Sequence, residues 1–87
     1  MFVIVTYDVN EKRVNKVCKK LKEYLNWTQN SVFEGEITKS QFLKCQRDLE
    51  KIIDHDTDSI YYYVVENPKH LKKFQVGAEK VDLDIFF

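Results

Sequence analysis

Two segments of this chain have the spacing of an amphipathic helix, and both lie between runs of strand-forming residues. In each segment apolar side chains recur every three or four positions, which places them along one face of a helix. In the first segment these residues are Val14, Val17, Cys18, Leu21, Tyr24 and Leu25. In the second segment they are Phe42, Cys45, Leu49, Ile52 and Ile53. The pattern predicts two helices that bury one face against a sheet.

Capping residues mark where these helices begin. Asn10 stands before the first segment, and Asn is one of the preferred residues at a helix N-cap. Thr38 is followed three residues later by Gln41, which is the spacing of a capping box. We expect the first helix to end near Asn26.

Runs of β-branched and aromatic residues predict the strands. Residues 2–7 form one such run, closed by Asp8, and residues 60–65 form another that is long and aromatic enough to lie centrally in a sheet. Between the helices, residues 27–37 predict two short strands around a turn at Gly35, or one strand that continues through a bulge there.

The order strand, helix, strand, strand, helix, strand is that of the ferredoxin-like fold, an α+β arrangement with an antiparallel sheet and both helices on one face. Residues 60–65 have apolar side chains at every position, so the other face of the sheet is apolar too. Such a face usually marks an interface, which predicts a homodimer through the sheet face. The alternation of apolar and acidic residues over 81–87 predicts an extra C-terminal strand that pairs with the partner chain.

Length and composition predict one domain over residues 1–87, without a linker or a membrane segment. The apolar N-terminal run is too short for a signal or a membrane span and meets Asp8 directly, so we expect a cytoplasmic protein. Cys18 and Cys45 lie on the apolar helix faces, which favours buried free thiols over a disulfide or a metal site.

The charges sum to zero, with 14 basic and 14 acidic residues, but they are unevenly distributed. Residues 11–22 are strongly basic and residues 48–58 strongly acidic. The basic run fits either a solvated helix face or a surface that binds nucleic-acid phosphates. The candidates for phosphate binding are Arg13, Lys16, Lys19 and Lys20.

Asp8 is the leading candidate for chemistry, because it closes an apolar strand where side chains from neighbouring elements converge. The chain has no glycine-rich phosphate loop and no Ser/His/Asp set, and His55 and His70 lie in predicted loops without metal-ligand spacing. Asp8 also fits a turn-forming or helix-capping role. In a homodimer, however, two Asp8 carboxylates related by symmetry would hold Mg²⁺ and promote phosphodiester hydrolysis.

Ser31 and Phe33 form a second group, on the strand expected beside the first one. A serine hydroxyl at this position can contact a phosphate. An aromatic ring can stack on a base or pack in the dimer.

Two stretches together resemble the Cas2 family of CRISPR-associated adaptation proteins. They are residues 2–9, FVIVTYDV, and residues 29–36, QNSVFEGE, with Asn15-Lys16-Val17 between them. The resemblance implies a ferredoxin-like homodimer in which Asp8 of each chain binds Mg²⁺ or Mn²⁺. It also implies that Tyr7, Ser31 and Phe33 support the site and that Lys16 contacts phosphate.

The resemblance implies endonuclease activity on RNA or double-stranded DNA, and a second role as a bridge between CRISPR integrase subunits. Val14, Trp27 and Asn30 stand where family members often have other residues, which weakens the nuclease prediction. Two alternatives therefore stay open. One is a DNA-binding scaffold without catalysis, and the other is a regulatory or metabolite-binding domain with the same fold.

Overall fold

The computed structural model describes residues 1–72, 74 and 76. Its elements, in chain order, are β1 (Phe2–Asp8), α1 (Glu11–Lys22), β2 (Asn26–Gln29), β3 (Val32–Glu36), α2 (Lys39–Glu50) and β4 (Ser59–Val65), followed by a single 3₁₀ turn at Pro68–His70. The strand predicted over residues 81–87, with its pairing to a partner chain, lies outside the described residues.

The four strands form one antiparallel sheet in the order β2-β3-β1-β4. In its register Val5 lies opposite Phe33 on one side and opposite Tyr62 on the other. These residues pack towards the helices, and Phe42 of α2 meets the ring of Tyr62 at 5.4 Å between centroids. The prediction of an α+β ferredoxin-like fold with both helices on one face is confirmed.

The core lies between the helices and the facing side of the sheet. It includes every second residue of β1, namely Val3, Val5 and Tyr7, together with Phe33 of β3. The helices contribute the apolar faces predicted from their spacing, with Val17, Cys18 and Leu21 from α1 and Phe42, Cys45 and Leu49 from α2. Both cysteines are buried free thiols, as their positions predicted.

The predicted helix caps are confirmed. The Asn10 side-chain oxygen accepts a hydrogen bond from the backbone N–H of Lys12 at 2.9 Å. At α2 both halves of the capping box are formed, since Thr38 Oγ1 accepts from the N–H of Gln41 at 3.2 Å and Gln41 Oε1 accepts from the N–H of Thr38 at 3.3 Å. Helix α1 ends at Lys22, earlier than the expected end near Asn26, because Asn26 already begins β2.

The hairpin turn was predicted at the wrong position. The hairpin turn between β2 and β3 lies at Asn30 and Ser31, whereas Gly35 lies inside β3. A Cβ on Gly35 would lie 3.3 Å from Asn26 Nδ2, so the small residue here makes room for β2 rather than forming a turn. Within the described part of the chain β4 is an edge strand, and β1 and β3 are the central ones.

The face of the sheet that points away from the helices is largely apolar. Tyr61 and Tyr63 of β4 are 59% and 53% exposed on this face, and Phe2, Ile4 and Val32 are half-buried beside them. We call this surface the open face. Neither helix in the described part is long and apolar enough to cross a membrane.

Replacing Leu49 by alanine should lower the free energy of unfolding by about 2–5 kcal/mol, because its fully buried side chain would leave a cavity between α2 and the sheet. Leu43→Ala is the matched control on the same helix, since Leu43 is 45% exposed and its loss should change stability by less than about 1 kcal/mol. Urea unfolding at one protein concentration measures both. Equal losses would contradict this placement of the core.

Candidate functional site

Asp8 is the last residue of β1, and its side chain belongs to the open face. Alternation along the strand buries Val3, Val5 and Tyr7 on the helix side and puts Asp8 on the opposite side, where it is exposed. Its neighbour across the β1–β4 ladder is Ser59. The Asp8 carboxylate makes no hydrogen bond or ion pair with any residue that the structure describes. Its oxygens are therefore available to a ligand.

Ser31 is at the same end of the sheet as Asp8. It lies in the exposed turn between β2 and β3, and its carbonyl accepts a hydrogen bond from the backbone N–H of Tyr7 at 3.2 Å. This bond places the turn directly beside the end of β1. The turn that carries Ser31 thus lies next to the strand end that carries Asp8.

Tyr7 and Phe33 lie on the opposite side of the sheet from Asp8. Both are buried, with their ring centroids 6.2 Å apart. The Tyr7 hydroxyl is 2.8 Å from Cys18 Sγ and donates to the carbonyl of Asn30 at 3.2 Å, so it ties β1 to α1 and to the β2–β3 turn. Burial, together with the contact to Cys18, raises the pKa of Tyr7 well above its usual range.

The positions of Tyr7 and Phe33 limit the roles predicted for them. Neither side chain reaches the open face, so neither can contact a substrate bound at Asp8 in this arrangement. They support the site from the core, by holding the strand end and the turn that carry Asp8 and Ser31. Any closer part in catalysis stays a prediction.

The four residues of α1 that were predicted to bind phosphates fall into two groups, those with an ion-pair partner and those without one among the described residues. Lys16 and Lys19 are exposed, and neither forms an ion pair with the described residues. Lys20 Nζ lies 2.8 Å from Glu23 Oε2, so the half-buried Lys20 is paired with the exposed Glu23. Arg13 is already bound to Asp58, and its predicted role as a nucleic-acid contact stays a prediction. Of the four residues predicted to bind phosphates, Lys16 and Lys19 are the two without an ion-pair partner among the described residues.

Asp58 is the structural residue that the sequence analysis missed. Its side chain is fully buried, and it accepts hydrogen bonds from Arg13 Nε at 2.6 Å and Arg13 Nη2 at 3.0 Å. The Arg13 guanidinium and the bonds from the backbone N–H groups of Asn10 and Asp54 lower the pKa of Asp58 far below its usual range. The only signal in the sequence was an acid immediately before an apolar strand, in a turn that looked merely polar.

The chain offers a metal ion one clear ligand at this site. Among the residues described, no group of three or more His, Cys, Asp or Glu side chains is arranged to hold a metal, and His55 and His70 are exposed loop residues. Mg²⁺ commonly binds one or two carboxylates and keeps several waters. The free Asp8 carboxylate can supply one such ligand.

Comparison with known proteins identifies close relatives. Residues 1–73 match the family described as CRISPR associated protein Cas2. A CRISPR-associated endoribonuclease Cas2 from Thermodesulfovibrio yellowstonii is 56% identical over 79 residues, covering 91% of this chain and 90% of that protein. Another, from Methanosarcina acetivorans, is 46% identical over 82 residues and covers 94% of each chain.

Solved structures resemble this fold over most of its length. One, described as the crystal structure of cas2, has a TM-score of 0.85 and 42% identity and covers 100% of this chain and 98% of its own. Streptococcus pyogenes Cas2 at pH 6.5 has a TM-score of 0.73 and 37% identity, covering 86% of this chain and 100% of its own.

Removing the Tyr7 hydroxyl should destabilise the fold, because Tyr7→Phe leaves the Asn30 carbonyl and Cys18 without this partner. We expect a loss of about 1 kcal/mol in the free energy of unfolding, measured by urea denaturation. Tyr62→Phe is the matched control, since the Tyr62 ring also packs towards the helices but its hydroxyl bonds to none of the described residues. Equal stability of the Tyr7→Phe protein and the wild type would contradict a supporting role.

Proposed function

Because the chain belongs to the Cas2 family of CRISPR-associated proteins, we propose that it is a metal-dependent endoribonuclease that works as a homodimer. The observation that carries this proposal is Asp8, an exposed carboxylate at the end of β1 with no partner among the described residues. The names of its relatives favour RNA as the substrate. None of the relatives reported above is described as a regulatory or metabolite-binding protein.

The open face supports a dimer. Tyr61, Tyr63 and their half-buried neighbours expose a contiguous apolar surface, and an 87-residue chain has little core to offset its exposure. A two-fold interface presents the same surface from both chains. Asp8 belongs to this face, so such an interface contributes two Asp8 carboxylates, one from each chain.

In this proposal each residue of the site has a separate role in cleavage. The two Asp8 carboxylates of the dimer would hold Mg²⁺ or Mn²⁺, and without a cation they would repel each other. When bound, this cation supplies polarisation of a phosphoryl oxygen and a water of lowered pKa. The Ser31 hydroxyl contacts the scissile phosphate, and Lys16 and Lys19 bind neighbouring phosphates and orient the strand.

Light scattering should show a particle of twice the 10.5 kDa chain mass at micromolar concentration, because two open faces bury each other's apolar surface. Tyr63→Arg places a charge in the middle of this surface and should yield the single-chain mass. Leu43→Arg adds the same charge to exposed α2 and should leave the mass doubled. A wild-type particle of single-chain mass would contradict both the dimer and the shared metal site.

Asp8→Ala should abolish metal-dependent cleavage of labelled single-stranded RNA. Loss of a residue that hydrogen-bonds a metal ligand typically lowers metal affinity or activity by about 10–100-fold. Removing the ligand itself should therefore lower the cleavage rate by about 100-fold or more. Duplex DNA is assayed in parallel, with Mg²⁺ and Mn²⁺ titrated separately. These assays also report which nucleic acid the wild type cleaves.

Asp56→Ala is the matched control for Asp8→Ala. Asp56 is another exposed acid, in the turn before β4, and its loss should leave cleavage unchanged. Asp8→Asn keeps the side-chain shape and should be as inactive as Asp8→Ala. If Asp8→Ala cleaves like the wild type, or the wild type is inert with both metals, the nuclease proposal fails.

A second candidate function is favoured by the exposed lysines of α1. Lys12, Lys16 and Lys19 follow one another at intervals of four and three residues, so they form a stripe along one side of the helix. Such a stripe fits the phosphate backbone of a duplex without need of Asp8. In this role the dimer is a non-catalytic scaffold that holds DNA and bridges CRISPR integrase subunits.

Salt dependence of duplex binding tests the lysine stripe. Each phosphate contact contributes about 0.9 to the slope of log affinity against log salt, so Lys16→Ala combined with Lys19→Ala should reduce the slope by roughly 1.8. The control is the double change of Lys39 and Lys44 to alanine on α2, both exposed. An equal effect of the two pairs would contradict a specific role for α1. If the wild type binds duplex DNA with a steep salt dependence but does not cleave it, the scaffold role is favoured.

A further inference from the structure

The Asp58 carboxylate joins two segments of the chain at one point, residues 10–13 and the turn at residues 54–58. It accepts two bonds from the Arg13 guanidinium in the first turn of α1, one from the N–H of Asn10 at 3.0 Å, and one from the N–H of Asp54 at 2.8 Å. All four bonds are charge-assisted, and the carboxylate is shielded from water. We call Asp58 and Arg13 with these backbone contacts the Asp58 clamp.

The Asp58 clamp lies beside the backbone that carries Asp8. Asp58 directly precedes Ser59, which is the residue opposite Asp8 in the β1–β4 ladder. Asn10, whose N–H donates to Asp58, follows Asp8 by two residues and is the N-cap of α1. The clamp therefore joins Asn10, which follows Asp8, to Asp58, which precedes the cross-strand neighbour Ser59.

No other side chain in the described part of the molecule holds the Asp8 carboxylate in place. Its carboxylate has no partner there, so its direction depends on the backbone at residues 8–10. A misplacement of about 1 Å in a catalytic group can lower a rate by two orders of magnitude. Anything that fixes this backbone therefore controls how well Asp8 can bind a cation.

We propose that Asp58 and Arg13 are a positioning pair for Asp8. They hold the β1–α1 turn in place, so that the free carboxylate is directed to the cation without rearrangement. This inference rests on the proposed function of Asp8. It also assigns Arg13 to this internal pair rather than to phosphate binding.

The test compares Asp58→Asn with the wild-type dimer in two measurements. Amide hydrogen exchange reports whether the turn is held, and we expect the N–H of Asn10 to exchange at least tenfold faster in the variant while the β1 amides of Val3 and Val5 change less. RNA cleavage reports the consequence. We expect kcat to fall by about tenfold and the half-saturating Mn²⁺ concentration to rise, as when a residue that orients a metal ligand is lost. The KM for RNA should stay within about twofold of the wild-type value.

Conservative replacement of Arg13 provides an independent second variant, in case Asp58→Asn does not fold. Arg13→Lys keeps the charge but loses the two-bond geometry, so it should retain more kcat than Arg13→Ala and less than the wild type. Lys20→Ala is the matched control. Lys20 is a cation of the same helix paired with exposed Glu23, and its loss should change neither the Asn10 exchange nor the Mn²⁺ requirement.

Several outcomes would overturn the positioning role. One is Asp58→Asn with wild-type exchange at Asn10. Another is a lower melting temperature with unchanged kcat and Mn²⁺ requirement below that temperature, which would make the pair purely structural. A third is a raised KM and reduced salt slope in Arg13→Ala with unchanged kcat, which would make Arg13 a phosphate contact. An inactive wild type would contradict the proposed function instead, and the Asn10 exchange would separate that failure from failure of the clamp.

Discussion

The architecture depends on the period-two alternation of β1 at the centre of the sheet. β1 pairs with β3 on one side and with β4 on the other, so its register is set twice. Val3, Val5 and Tyr7 go to the helices and Asp8 to the open face. A slip by one residue would exchange these sets, burying the Asp8 charge in the core and exposing the valines. The hydrophobic core therefore dictates where the functional carboxylate points.

Burial on the helix side is also what supports the site from behind. Tyr7 reaches α1 and the β2–β3 turn through its hydroxyl, and Phe33 fills the space beside its ring. The Asp58 clamp holds the backbone on the other side of Asp8, through charged groups instead of apolar ones. Asp8 is left without a side-chain partner in the described chain, so the support is exerted entirely through the backbone.

Local features were predictable because neighbouring residues specify them. The two helices follow from three- and four-residue spacing, and their starts follow from Asn10 and the Thr38–Gln41 pair. Among the described strands β4 has one neighbour, which local sequence did not reveal, because aromatic residues at successive positions give a strand two apolar faces whether it has one neighbour or two. Of the two alternatives for Gly35, the turn was wrong for a related reason. Its small size serves contact with Asn26 on the adjacent strand, which local sequence does not reveal.

The sequence by itself determined the element order, the buried cysteines, the position of Asp8 at a strand end and the resemblance to a family. These properties depend on residue type and on spacing within a few positions. Only the tertiary structure decided that Tyr7 and Phe33 lie on the far side of the sheet from Asp8, and that Arg13 binds Asp58, 45 residues away. Such long-range partners are chosen by strand register and helix packing, because a charged group that is buried must be paired wherever the fold places it.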